Sequence, residues 1–399
     1  MIIHKAYLYR LKDNQSRTLL LAQAGGCCRF VWNRALALQK QRLDEKVKLL
    51  TFSELCCELT LWKKQPELSF LKEVHSQPLQ QTLKNLDRAI WEALTKKKGF
   101  PRFKKKFCGD SFRYPQGCKV EGARIFLPKI GWMSFFHSVN PEGEIKNVSV
   151  SRRGKHWFVS VQTEYEKQRP EHPSKLMIGV DVGISRFATL SNGWFYEPLN
   201  SFRKLENKLS MEQKKLSRKK KFSNNWRKQK YRIAQIHIKI ANARHDFLHK
   251  LSTELSKNHA AIVIEDLKVS QMSQSAKGTL DRPGNGVKKK SSLNKSILDQ
   301  GWYEFRRQLE YKQQWRGGEL IVVPPQYTSQ TCPCCGYICA DNRKTQAIFQ
   351  CVDCGYLEHA DIVGAKNILA VGQTVSACES NLIRGRKQEL AETVRKCCS

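Results

Sequence analysis

The segment CVDCGYLEHAD, residues 351–361, holds two cysteines at metal-ligand spacing and then an acid, Asp361, that the same metal does not need. A second pair stands upstream as Cys332-Pro-Cys-Cys335, with fifteen residues between the pairs. Thiolates from both ends of a tight turn can reach one tetrahedral zinc, and two such turns complete a four-sulfur shell. Gly336 and Gly355 follow the pairs, where a knuckle needs a residue that tolerates positive φ. Cys332, Cys335, Cys351 and Cys354 are therefore the predicted ligands of one structural Zn2+, a closed shell with no open position for chemistry. Cys334 and Cys339 lie close enough in sequence to compete for it.

Asp361 opens the segment ADIVGAKNILA, whose spacing puts it on one helix face with Ala365, Ile368 and Leu369. Two further acids end apolar runs: Asp181 in LMIGVDVG, and Glu265 or Asp266 in AAIVIED. Acids aimed inward from strand ends are costly unless paired or metal-bound. Three converging carboxylates can hold two Mg2+ ions about 4 Å apart, one side activating water and the other stabilising a leaving oxygen. Glu265 and Asp266 point to opposite faces of a strand, and period alone does not choose between them.

These residues need elements to carry them. IIHKAYLYRL alternates as a strand, and residues 15–95 then take a helical period, as in FVWNRALALQKQRL and LQQTLKNLDRAIWEAL. The run KKKGFPRFKKKF, residues 96–107, interleaves phenylalanine with lysine, a pattern suited to phosphate contact with base stacking and carried by Lys104, Lys105 and Lys106. Residues 118–163 return to short strands, with NVSVSRRGKHWFVSV reading as a hairpin around Arg-Gly. One β module interrupted by a helical insertion is the simplest account. A buried strand at residues 176–182 begins a third region. Two long basic helices follow across residues 202–255, with Arg218, Lys219, Lys220 and Lys221 between them. Residues 271–292 read as a polar loop that could gate the acids, and strands end at Glu265 and in GGELIVVPP.

Composition fixes the class of partner. The 399 residues carry 70 Lys+Arg against 36 Asp+Glu, a net charge of +34, which a polyphosphate backbone neutralises most readily. A hydrophobic content of 40% supports real cores, and the length suits two or three domains. No apolar run spans a bilayer and MIIHKAYLYRLKDNQ lacks a signal-peptide layout, so a cytoplasmic protein is expected. The fifteen cysteines then stay reduced, serving as metal ligands or bystanders and not as a disulfide framework.

The order IGVDVGI, IVIEDLKV, the paired C-x-x-C ribbon and HAD followed by AKNI resembles the TnpB family, transposon-encoded RNA-guided nucleases of prokaryotes related to type V CRISPR effectors. RFVWNRAL, LKNLDRA, GFPRFKKK, DFLHKLS, QLEYK and PQYTSQTCPCCG extend the resemblance over nearly the whole chain. It implies a multidomain α+β fold: a β-barrel-like wedge module (residues 1–14 and 118–172), a helical recognition insertion (15–117) and a RuvC-like, RNase H-type nuclease domain (173–399). A zinc-ribbon target-nucleic-acid-binding insert (326–358) lies within the last. It implies a catalytic triad of Asp181, Glu265 and Asp361 holding two Mg2+, which selects Glu265 over Asp266. It further implies a guide RNA from the element's own end, a double-stranded DNA target, a monomeric ribonucleoprotein, and reading of a target-adjacent motif near Phe52, Gln80 and Lys84. One departure stands out. The family's D-x-N-A-A-x-N pattern is here Asp361-Ile-Val363-Gly364-Ala365-Lys-Asn367. That leaves a nuclease-impaired RNA-guided repressor as one alternative to a guided nuclease; the zinc ribbon and basic surface would also suit a second, a guide-free DNA-binding transposition factor.

Overall fold

The structure, a computed structural model, describes residues 1–12, 14–106, 109–168, 170–279 and 282–376. Phe107 of the basic-aromatic run and residues 377–399 of the expected nuclease domain lie outside the described residues. The chain divides into two units, Met1–Gln168 and Arg169–Ser399.

In the first unit, strand β1 (Ile2–Arg10) buries Ile3, Tyr7 and Tyr9 by strict alternation. Helix α1 (Gln15–Asp44) starts where the Asn14 side chain accepts from the Arg17 N–H at 3.1 Å, and α2 (Phe52–Lys64) starts on a capping box between Thr51 and Glu54. Helix α3 (Ser76–Leu94) follows, and then six strands: β2 (Ser111–Tyr114), β3 (Lys119–Glu121), β4 (Arg124–Leu127), β5 (Gly131–Ser134), β6 (Glu144–Arg153) and β7 (His156–Glu166). They form an antiparallel sheet in the order β1-β7-β6-β2 and a smaller one, β3-β4-β5. The β6–β7 turn falls at Gly154, in the Arg-Gly hairpin that alternation suggests. β2 falls inside the segment read as helical, 15–117: among the described residues its α-helices stop at Leu94, and Phe112 and Tyr114 turn inward to the core shared by helices and strands.

The second unit opens with β8 (Met177–Val182), β9 (Ala188–Leu190) and β10 (Phe195–Tyr196), then the long helices α4 (Ser201–Ser217) and α5 (Asn224–Asn258) and strand β11 (Ala261–Glu265). Next come α6 (Val269–Met272), α7 (Val287–Gln300), α8 (Trp302–Arg316) and β12 (Glu319–Val323), then the small pair β13 (Ile348–Gln350) and β14 (Leu357–His359). Helix α9 runs over residues 360–376. The main sheet is ordered β10-β9-β8-β11-β12, with β8, β11 and β12 parallel and β9 and β10 antiparallel. Parallel strands are covered on both faces, which is why their sequences run apolar without a clean alternation. Ile178, Val180, Ile262 and Ile264 face one core with Leu251 of α5 and Phe305 of α8. Val263, Ile321 and Val323 face the other way, against Ile368 of α9. The segment 271–292, read as loop throughout, becomes helical from Val287, in a helix α7 that buries Ile297 in the core with α5 and α8.

Candidate functional site

The period of the strands decides where the acids point. On β8 and β11, even-numbered residues face α5 and α8, while Val263 faces α9. Asp181 and Glu265 continue the odd-numbered face at the carboxyl ends of two adjacent parallel strands, in register one step past the Val180–Ile264 pair. Asp361 stands in the first turn of α9 on that same side. Asp266 turns to the opposite face, where Arg306 of α8 holds it at 2.5 Å.

Electrostatics report the convergence. Burial first, and then the charges of Glu265 and Asp361, push the Asp181 carboxyl up to about 7, with Arg343 pulling against them. Burial also raises Glu265, opposed by the Thr328 hydroxyl, which donates to Oε1 at 2.6 Å, and by Arg343. The Arg343 guanidinium lies 3.9 Å from Asp361 Oδ1. On the other side His359 Nδ1 accepts the Asp361 backbone N–H at 3.2 Å. Asn367, one turn and a half further along α9, donates to the carbonyls of Thr328 and Thr331, both at 2.7 Å. One buried amide thus ties the helix bearing Asp361 to the loop whose threonine holds Glu265. Thr328 and Arg343 escaped sequence reasoning, although Thr328 lies inside the stretch PQYTSQTCPCCG.

The four cysteines form the second centre. The sulfurs of Cys332, Cys335, Cys351 and Cys354 all lie within 4.8 Å of one another, with Cys332–Cys354 and Cys335–Cys351 each at 3.6 Å. A tetrahedron with metal–sulfur bonds of ~2.3 Å sets sulfurs roughly 3.8 Å apart, so the cluster fits a closed thiolate site. The two knuckles repeat one design. Gly336 N–H donates to the Cys332 carbonyl at 2.9 Å and Gly355 N–H to that of Cys351 at 3.1 Å, with φ of +77° and +74° at the glycines. Cys334 is exposed and Cys339 sits beside Asp341, both outside the cluster.

Three family models match: one described as probable transposase over residues 160–276, the Cas12f1-like TNB domain over 302–368, and a helix-turn-helix domain over 1–48. The chain is 50% identical to "Putative RNA-guided DNA endonuclease InsQ" of Escherichia coli strain K12, over 98% of both chains. The chain belongs to the TnpB family. A Streptomyces pristinaespiralis protein named "Putative RNA-guided DNA endonuclease" is 32% identical over 94% of this chain and 91% of its own. Among solved structures, the protein of a Cas12f1–sgRNA–target DNA complex superposes over 92% of this chain and 98% of its own, with a TM-score of 0.54 at 13% identity. That is a likeness of fold. The helix-turn-helix description does not suit this TnpB protein: residues 1–48 hold one strand and one continuous helix of thirty residues.

The departure from the usual TnpB pattern after Asp361 has a structural reading. Val363 is fully buried beneath the cysteine centre, packed with Cys332, Phe349, Cys351 and Ala360. Gly364 lies against Asp181, and a β-carbon there would stand 3.0 Å from Oδ2. Val363 therefore serves the knob and Gly364 makes room for the acid. Val363→Asn, the substitution that restores the common family residue, is expected to destabilise this protein by about 2 kcal/mol, because the amide enters a core with no partner. A thermal melt of the metal-loaded variant checks it.

The remaining sequence candidates are scattered over surfaces. Phe52 begins α2 and packs partly on the first unit's core, while Gln80 and Lys84 are exposed one turn apart on α3. The Lys104 backbone is bracketed by Asn33 of α1 (2.7 and 3.0 Å) and its amine lies 3.9 Å from the Trp32 ring centroid. Lys105 and Lys106 are exposed beside it. Arg218 caps α4, and Lys219, Lys220 and Lys221 lead into α5.

Proposed function

We propose that this protein is an RNA-guided, divalent-metal-dependent DNA endonuclease of an insertion sequence, cutting DNA beside a short target-adjacent motif. The observation that carries the reading is that Asp181 and Glu265, on one side of a parallel sheet, are raised in pKa by burial, and Asp181 further by the charges of Glu265 and Asp361. Such a set is unfavourable on its own and is stabilised by cations, and its all-oxygen character suits Mg2+. Asp181, Glu265 and Asp361 would hold two Mg2+ in a RuvC-type centre, which supplies an activated water and stabilises the leaving oxygen during phosphodiester hydrolysis. The chain's own residues fix the ligands in place. Thr328 orients Glu265, Asn367 joins the two carriers, and Gly364 admits Asp181 to the helix.

The four thiolates would hold one structural Zn2+, making residues 326–358 the target-nucleic-acid-binding insert. The first unit's β sheets, β2 included, would be the wedge and α1–α3 the recognition part. Guide RNA pairing would read the target, and the protein would grip the heteroduplex through its backbone, consistent with an excess of 34 positive charges. The names of the TnpB relatives and the Cas12f1-like fold support this assignment. No described helix is long and apolar enough to cross a membrane. The protein would act as a cytoplasmic, monomeric ribonucleoprotein. The repressor alternative drew on Val363, and that residue's place in the knob core removes its main support.

Protein coexpressed with the RNA encoded around its gene's 3′ end should retain one discrete RNA through high-salt purification, with one zinc per chain by elemental analysis. Cys335→Ser should lose most of that zinc. Purified protein carrying only random RNA fragments would contradict the guided reading.

A further inference from the structure

Between Glu212 and Asp246 the sequence has twelve lysines and arginines and no acid. This stretch forms the end of α4, the turn and most of α5. The two helices are clamped near the turn by Gln229, buried on α5, whose amide donates to the Glu212 carbonyl at 3.0 Å and to its carboxylate at 2.6 Å. The pair's apolar contacts, Leu209 with Ile236 and Ile240, lie on the far side of that clamp from the turn. Residues 218–226 therefore form a tip that the hairpin's own core does not need.

At this tip stands Phe222. Its φ is +69°, in the left-handed region, and its side chain is 73% exposed. A non-glycine residue there costs on the order of 1 kcal/mol. Burial does not offset the cost. The ring instead lies 5.6 Å from that of Trp226, tilted by 50°, and Lys230 Nζ lies 5.2 Å from the Trp226 centroid. The Ser223 hydroxyl caps α5 by accepting from the Trp226 N–H at 3.1 Å, which fixes the second ring relative to the first.

We propose that Phe222 and Trp226 form a stacking platform for an unpaired nucleobase, with Lys219, Lys220 and Lys221 holding the flanking phosphates. Lysines alone would suffice for a duplex backbone. An exposed aromatic held in a costly backbone conformation offers nothing to phosphate and a π-face to a base, and bases within a duplex have both faces covered. The ligand class is a single-stranded segment of nucleic acid. The proposal rests on the nucleic-acid reading above but needs neither the guide nor the carboxylates.

The test uses full-length, guide-free protein in magnesium-free buffer. The probe is a short oligothymidylate with one central 2-aminopurine, whose fluorescence falls when the base stacks. Wild type should bind and quench it. Phe222→Gly should bind about tenfold more weakly and lose the quench, with an unchanged or higher melting temperature because glycine relieves the left-handed residue. Phe222→Trp should retain both signals. Lys220→Ala should weaken binding and flatten its salt dependence while bound probe stays quenched. Wild-type affinity and quench in Phe222→Gly would overturn the proposal, as would equally strong competition by a blunt duplex. Asp181→Asn should leave the quench intact, so failure of the nuclease reading and failure of the platform are separate results.

Discussion

Asp181→Asn is expected to remove guided cleavage roughly a thousandfold or more, about 4 kcal/mol of barrier, while making the magnesium-free protein more stable at pH 8. The two effects share one cause. In the fold the Asp181 carboxyl is pushed to about 7, from 3.8 in an unperturbed chain, by burial and then by Glu265 and Asp361. A carboxyl raised in this way contributes its full share of stability below about pH 4 and loses it as pH climbs towards 7. Above that, the native state carries a buried charge next to two others. Asparagine keeps the shape without the charge, so its gain over the wild type is expected to be larger at pH 8 than at pH 5 by about 2 kcal/mol. Added Mg2+ should raise the melting temperature of the wild type and not of the variant. Melts at the two pH values, with and without magnesium, check all three statements.

Gly179→Val should be strongly damaging, to the fold of the second unit and to cleavage alike. Gly179 sits on the β8 face that meets α9, and a β-carbon there would stand 2.2 Å from the Ala365 carbonyl oxygen and 2.8 Å from the Leu369 backbone nitrogen. Both are backbone-borne contacts on a helix, and neither can rotate away. The helix must lift, and it carries Asp361 away from Asp181 and Glu265 as it does so. Overpacking of this kind costs about 3 kcal/mol or more. Chemical denaturation should report the loss, together with loss of cleavage. Gly99→Ala, at a site with open space around it, should change neither.

The chemistry-bearing spacings were the most legible part of the sequence. Two C-x-x-C pairs followed by glycines specify a local design, and the structure gathers those four sulfurs and leaves out Cys334 and Cys339. The acids were harder. Glu265 and Asp266 are equivalent by period until one knows which face of β11 meets α9, and that is a fact about packing hundreds of atoms away in sequence order. The same holds for Val363, which reads as a lost amide in the chain and as a core residue in the fold. Thr328 and Arg343 act through a contact 63 residues apart or through charge at a distance, for which a linear pattern has no signal. β2 was hidden because four residues are too few to show a period, and α7 because its lysines and serines look like loop until Ile297 is seen in the core.

The central claim is that the three carboxylates cut DNA at a site chosen by RNA. Its most direct test is a plasmid library carrying a guide-matched site flanked by random sequence, incubated with the ribonucleoprotein with and without Mg2+. The expected result is magnesium-dependent linearisation confined to one flanking motif, absent from Asp181→Ala, Glu265→Ala and Asp361→Ala proteins that still bind the target. Guide-dependent binding with no cut in the wild type, or cleavage that survives those substitutions, would contradict it.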